Sequence, residues 1–302
     1  MSNPKPDVSI VIVTYNSRSL IGGLLDSIPT ALAGATAEVV VVDNNSSDGT
    51  ADYLADRSDC ILLRSANVGY AAGINLGVMA SQEAEAILVL NPDVTLLPNS
   101  IPPMLRALRR NDSGIVVPQV RSGNGDLSYS LRREPSILRS LGLTGTRLGI
   151  FSEYVNKRRL YASPQIVDWA LGAVMLMSRR CYDCLGGWDE TYFLYSEETD
   201  LCLRARDRGF LTVYEPSSVV WHIGGQSGQD GRTHSMRCIN RVRLYRRRHG
   251  IVPAWCFLSL TVVFELRWAL RGRRESWAAI RALLKPAERP VELKCSDAAM
   301  PR

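Results

Sequence analysis

The chain has 302 residues, 46% of them apolar and 22% charged, with seven cysteines and a formal net charge of +6. This length and apolar content exclude a disordered, collagen-like or small disulfide-stapled protein and allow one large α/β domain or two smaller ones. The charge is uneven: residues 232–302 carry 16 basic against 5 acidic side chains, a net +11, so residues 1–231 carry −5.

Val8 to Val13 is a continuous apolar run rich in β-branched residues, which predicts a buried parallel strand. Leu20 to Ile28 follows with helical spacing, then a second strand from Ala37 to Val42 and a helix from Thr50 to Ala55. Cys60 to Leu63 is a third strand, the Gly-rich segment from Asn67 to Asn75 opens a third helix, and Ala86 to Leu90 is a fourth strand. Strands alternating with helices predict an α/β fold with a parallel, doubly wound sheet.

Each strand ends in a polar cluster: Thr14-Tyr15-Asn16, Asp43 to Asp48, Asn67 to Asn75, and Asn91-Pro92-Asp93. Carboxyl ends of strands are where open α/β sheets bind ligands, so the four clusters are expected to converge on one site.

Beyond Asp93 the pattern gives a helix from Pro102 to Arg110, a strand from Gly114 to Val117 and a tight turn over Arg121 to Asp126. Residues 131–165 are irregular and basic, with Arg132, Arg133, Lys157, Arg158 and Arg159, and are expected to form a mobile insertion over the site. Asp168 to Met177 reads as one strand, and Gly186 to Glu190 as a turn. Val213 to Pro216 and Val219 to His222 follow, then a Gly/Ser-rich loop from Gly224 to Gly231.

Three carboxylates, Glu197, Glu198 and Asp200, crowd the start of a predicted helix behind Tyr192-Phe193-Leu194-Tyr195-Ser196. Mutual repulsion raises at least one carboxylate pKa and leaves a proton acceptor useful near neutral pH. The alternative is an ordinary helix start, Ser196 capping it and the acids complementing its dipole. Asp200 and Arg204 stand at the i,i+4 spacing of a supporting salt bridge.

Over residues 7–230 the chain resembles the family 2 glycosyltransferases of GT-A (Rossmann-like) fold, particularly the bacterial rhamnosyltransferase-like members. The resemblance implies inverting transfer from a nucleotide-diphosphate sugar, with L-rhamnose from its thymidine diphosphate carrier as the leading expectation, to a hydroxyl of a polyprenol-linked glycan acceptor in cell-surface polysaccharide synthesis. Residues 1–231 would be the catalytic domain, 1–100 its nucleotide-sugar half and 101–231 its acceptor half. Carried over by position, Thr14, Tyr15, Asn16, Asp43, Asn45, Asn67, Gly69, Gly73 and Asn75 would line the nucleotide pocket. Asn91 and Asp93 stand where the family carries Asp-x-Asp, and with His222 would hold Mn2+ or Mg2+; Asn91 removes one of the two charges. Glu198 aligns best with the catalytic base and Glu197 second. Trp169, Gly172, Ala173, Trp188 and Asp189 resemble the acceptor wall.

Six arginines fall between Arg237 and His249, and the fifteen residues from Gly250 to Phe264 are uncharged. That run is shorter than the ~20 residues of a spanning helix, so residues 232–302 are expected to be a basic, amphipathic helical extension lying on anionic lipid. A homodimer interface is the other use of its apolar face. The odd cysteine count and polar N-terminal stretch predict a cytoplasmic protein, peripheral on the inner face of the membrane. Nucleic-acid binding is not expected, since no recognition motif accompanies the charge. Two other functions compete: a catalytically silent nucleotide-sugar-binding or scaffolding subunit, which Asn91 keeps open, and transfer from a UDP-hexose.

Overall fold

The computed structural model of the chain describes residues 5–110, 112–146, 148–224 and 230–293. In β1 (Val8–Thr14) every residue is buried, yet Val8, Ile10 and Ile12 enter one core while Val11 and Val13 enter another. Period-two side chains with both faces apolar require helices on both sides of the sheet. β2 (Ala37–Asn44), β3 (Ile61–Ser65) and β4 (Ala86–Leu90) pair with it in parallel in the order β3-β2-β1-β4. α1 (Ile21–Leu32), α2 (Thr50–Ala55) and α3 (Tyr70–Ala80) are the crossovers.

The second half comprises β5 (Val94–Leu96), α4 (Ile101–Leu108), β6 (Ser113–Ser122), β7 (Leu131–Arg132), α5 (Ile137–Ser140), β8 (Gln165–Val167), β9 (Trp169–Ala170), β10 (Val174–Ser178), α6 (Arg179–Leu185), α7 (Glu197–Asp207) and β11 (Leu211–His222). The sheet continues as β4-β10-β6-β11-β5, with β8 also on β11. β10 is antiparallel to both β4 and β6, so the sheet is mostly parallel, as the GT-A resemblance implies, and mixed in its second half, a detail the strand runs do not carry. A strand buried on both faces has the same apolar pattern in either direction.

Two further readings change. The run from Asp168 to Met177 is two strands broken at Leu171–Ala173, where the Leu171 amide donates to Ser130 O. Residues 131–165 are packed rather than loose: Leu131, Val155 and Tyr161 are buried in the second core, and the Tyr161 hydroxyl accepts from the Leu131 amide. The turn over residues 121–126 is present, closed by the Gly125 amide donating to Ser122 O.

α8 (Gly231–His249), α9 (Ile251–Ala269) and α10 (Arg274–Leu284) form a C-terminal bundle with its own core, which Phe193, Leu194 and Tyr195 join. The bundle therefore grips the loop that leads into α7.

Candidate active site

The helix start carrying the three acids has an unusual backbone. Tyr195 (φ +68°) and Ser196 (φ +74°) are both left-handed, a conformation that costs non-glycine residues energy, and Ser196 makes no side-chain cap. An ordinary serine-capped helix start is thus not what the loop forms. Asn240 of α8, fully buried, donates to the carbonyls of Leu194 (2.9 Å) and Tyr195 (3.1 Å) and holds the strained turn.

Glu197 is buried, whereas Glu198 keeps part of its surface open; each has one buried carboxylate oxygen without a hydrogen-bond partner. Burial, and then the neighbouring Glu198 charge, drives Glu197 well above the usual carboxylate range. Burial also raises Glu198, but main-chain amides at the helix start and the charge of Arg132 oppose it. Of the two, Glu198 is the better supported as an anion. Asp200 forms the expected ion pair with Arg204, 2.6 Å.

Facing this helix is the Asn-Pro-Asp turn. Pairing of β5 with β11 sets Val94 opposite His222, bringing His222 Nε2 to 3.1 Å from Asp93 Oδ1. Burial works against the Asp93 charge, but the hydrogen bond and charge of His222 outweigh it and hold the carboxyl below its ordinary value. The Asn91 side-chain oxygen, Oδ1, instead accepts from the Tyr70 hydroxyl at 2.6 Å. The Tyr70 phenol also feels Glu197, Glu198 and Asp93, and its ring meets Trp188 edge-on at 6.4 Å. Tyr70 thus bridges the acidic helix and the Asn-Pro-Asp turn. Sequence reading missed it, although it lies inside the Gly-rich segment.

The expected nucleotide residues divide in two. Tyr15 (56% exposed), Asn16, Asn45 and Asn67 are open at the carboxyl ends of β1 to β3. Thr14 and Asp43 are buried and bonded to each other (3.1 Å), and Asp43 also accepts from the Ser46 amide and hydroxyl, so this carboxylate braces its loop. Asn75 spends its amide on Trp188, Glu190 and Tyr182, and a Cβ on Gly73 would come within 2.9 Å of Val13; both hold α3 in place rather than line a pocket. Gly69 (φ +95°) lies where a Cβ would stand 2.7 Å from Phe193 O, at the seam between the halves.

Of the acceptor-wall residues, Gly172 abuts Glu198: a Cβ there would reach the Glu198 Cβ at 3.2 Å. Ala173 and Trp188 are buried, and Trp169 is buried with its indole N–H given to Arg133 O. Asp189 pairs with Arg247 at 2.6 Å. The Gly/Ser-rich loop falls mostly on residues 225–229, outside the described residues.

A parallel half with open polar strand ends, joined to a mixed half that sets an acidic helix against an Asn-Pro-Asp turn, defines a GT-A glycosyltransferase. The "Glycosyl transferase family 2" model matches residues 9–182, and the chain belongs to that family. It is 33% identical over 284 residues to the N-acetylglucosaminyl-diphospho-decaprenol L-rhamnosyltransferase of Mycobacterium tuberculosis, covering 87% of this chain and 89% of the relative. Among solved structures it resembles GalNAc-T7 with UDP, GalNAc and Mn2+ (TM-score 0.62, 17% identity, 81% of this chain, 48% of that one). It also resembles the mannosyltransferase PcManGT of Pyrobaculum calidifontis in complex with GDP-Man and Mn2+ (TM-score 0.54, 16% identity, 96% and 83%).

Proposed function

We propose that this glycosyltransferase moves L-rhamnose, from its thymidine diphosphate carrier, to a hydroxyl of a polyprenol-diphosphate-linked glycan, with inversion at the anomeric carbon. The observation that carries the reading is the Glu197–Glu198 pair set across Tyr70 from Asp93 and His222; the name of the mycobacterial relative supports the sugar and the lipid.

Glu198, anionic and partly open, takes the proton of the acceptor hydroxyl as its oxygen bonds to the anomeric carbon. The bond from that carbon to the diphosphate breaks on the opposite face, and the nucleoside diphosphate leaves with the electron pair. Burial beside Glu198 disfavours the charged form of Glu197, which limits the negative charge at the site. Tyr15, Asn16, Asn45 and Asn67 receive the nucleotide, the Tyr15 ring offering a stacking face. Asp93 and His222 face each other with one oxygen and one imidazole donor, a set that fits a divalent cation such as Mn2+ or Mg2+; bound there, the cation would offset the charge of the leaving diphosphate.

The protein would work at the cytoplasmic face of the membrane. α9 is long and apolar enough by length and composition to cross a bilayer, but its buried Ala254, Phe257, Leu258, Thr261 and Glu265 form a stripe against the bundle. The opposite face exposes Val252, Trp255, Val263, Phe264 and Leu270, which suits a helix lying in the interface.

The decisive experiment supplies purified protein with thymidine diphosphate rhamnose and, in parallel, UDP-hexoses, each with a polyprenyl-diphosphate-linked N-acetylglucosamine. Rhamnosyl product with inverted configuration is expected. Product from a UDP-hexose alone would replace the donor, and no transfer from any donor would favour the silent subunit.

A further inference from the structure

We infer that the C-terminal bundle holds a transition-metal site, for which Zn2+ is the best-suited ion, built from His234 and Cys238 of α8 and Glu265 of α9. His234 and Cys238 are four residues apart and share one helix face. Glu265 reaches them from the neighbouring helix, its carboxylate oxygens 2.8 Å from His234 Nε2 and 3.6 Å from Cys238 Sγ, and Cys238 Sγ is 3.8 Å from His234 Nε2.

These separations are close to those of a tetrahedral zinc site. With Zn–S about 2.3 Å and Zn–N or Zn–O about 2.0–2.2 Å, ligand atoms on such an ion stand about 3.3–3.6 Å apart. The nitrogen–oxygen pair must open by roughly half an ångström as an ion replaces the hydrogen bond between them, and because Glu265 meets His234 through Oε2 and Cys238 through Oε1, the carboxylate must turn to present one oxygen or bind through both. One nitrogen, one sulfur and one oxygen match the borderline softness of zinc and suit Mg2+ or Ca2+ poorly. Cys238 and Glu265 are each only 5% exposed, and the neighbouring Ser276 of α10 favours the charged form of the carboxylate. His234 is partly exposed, which gives an ion a way in.

Binding has a defined proton balance. Arginine only donates, so Arg237 Nη2, 2.8 Å from His234 Nδ1, fixes the imidazole proton on Nε2 in this structure. Ligation through Nε2 moves that proton to Nδ1 and turns the Arg237 side chain, which reaches solvent, away; the Cys238 thiol releases its proton to solvent as the sulfur–metal bond forms. The ion would tie α8 to α9 two residues before Asn240, the residue that holds the catalytic loop.

Cobalt is the probe, because a thiolate ligand gives Co2+ a near-ultraviolet charge-transfer band that the sulfur-free Asp93–His222 pair cannot produce. Chelator-treated full-length protein titrated with Co2+ should show this band, saturating at one equivalent and bleached by Zn2+. Zn2+ alone should raise the melting temperature. The band should vanish in Cys238→Ser, fall at least tenfold in affinity in His234→Gln, and persist in the double variant C184S/C256S, which removes the exposed thiols among the described residues. No band in the unmodified protein, or a band that survives Cys238→Ser, overturns the site. Should Cys238→Ser fail to fold, the titration of the unmodified protein and of His234→Gln decides.

Discussion

The Nδ2 of Asn240 lies 3.1 Å from the carbonyl oxygen of Tyr195, so a residue of the C-terminal bundle fixes a left-handed residue two positions before Glu197, the first acid of α7. Asn240→Ala should leave two part-buried carbonyls without this donor and let the turn relax. A stability loss of about 1–3 kcal/mol is expected. Because Glu198 then loses its aim, kcat should fall roughly tenfold or more while KM for the donor changes little. Steady-state kinetics with a thermal melt tests both; unchanged kcat in a folded variant would remove the loop-holding role.

Glu198→Gln should lower kcat by roughly 10²–10⁴ with donor binding retained. In the unmodified enzyme, activity should be lost as pH falls through the raised pKa of the carboxylate pair, an acid limb lying above the ordinary glutamate range.

Glu197→Gln should act on stability. A buried acid whose folded pKa is raised holds more protons in the native state than in the unfolded state, so its contribution to stability declines as pH rises from the unfolded value through the folded one. Glutamine removes that loss. The variant should melt higher than the parent at neutral pH and show a flatter dependence of melting temperature on pH.

Asp93→Ala and His222→Ala should each abolish the melting shift that Mn2+ adds to thymidine diphosphate, since each removes half of the donor pair. Calorimetry with the nucleotide alone should change less than tenfold, because the open strand-end residues remain.

The membrane-facing role should follow α9 and not the arginine run of α8. Arg241 pairs with Glu153, Arg247 with Asp189, and Arg248 with both Glu134 and Asp207, so these charges are spent within the protein. Replacing Val252, Trp255 and Phe264 with serine should release the protein from anionic vesicles, whereas Arg247→Ala should mainly lower the melting temperature. If vesicle binding persists and the triple variant halves the molar mass in solution, the face is a dimer interface.

Most of the first half was legible because its information is local: apolar runs mark β1 to β4, and the polar clusters follow directly. The acidic helix, its Asp200–Arg204 pair and the Asp93–His222 pair were legible for the same reason or through the resemblance. What stayed hidden depends on distance in sequence. Asn75 and Gly73 look like ligand-loop residues until Trp188 and Val13 are brought beside them. The arginines of α8 look like a lipid-binding patch until Glu134 and Asp189 arrive from elsewhere in the chain. Asn240 and Tyr70 carry no motif of their own; each matters through one or two hydrogen bonds across the fold.

The strand order also sets a timetable for synthesis. β6 is complete at Ser122, yet the two strands between which it lies begin only at Val174 and Leu211. While the chain emerges, β1 to β4 can pair among themselves, but β4 presents an open edge and β6 has no neighbour until much later residues leave the ribosome. Such long-range pairing slows folding and exposes strand edges to other chains. The nascent protein is therefore most vulnerable to aggregation between the completion of β6 and the arrival of β11, the window in which a chaperone would have most to shield.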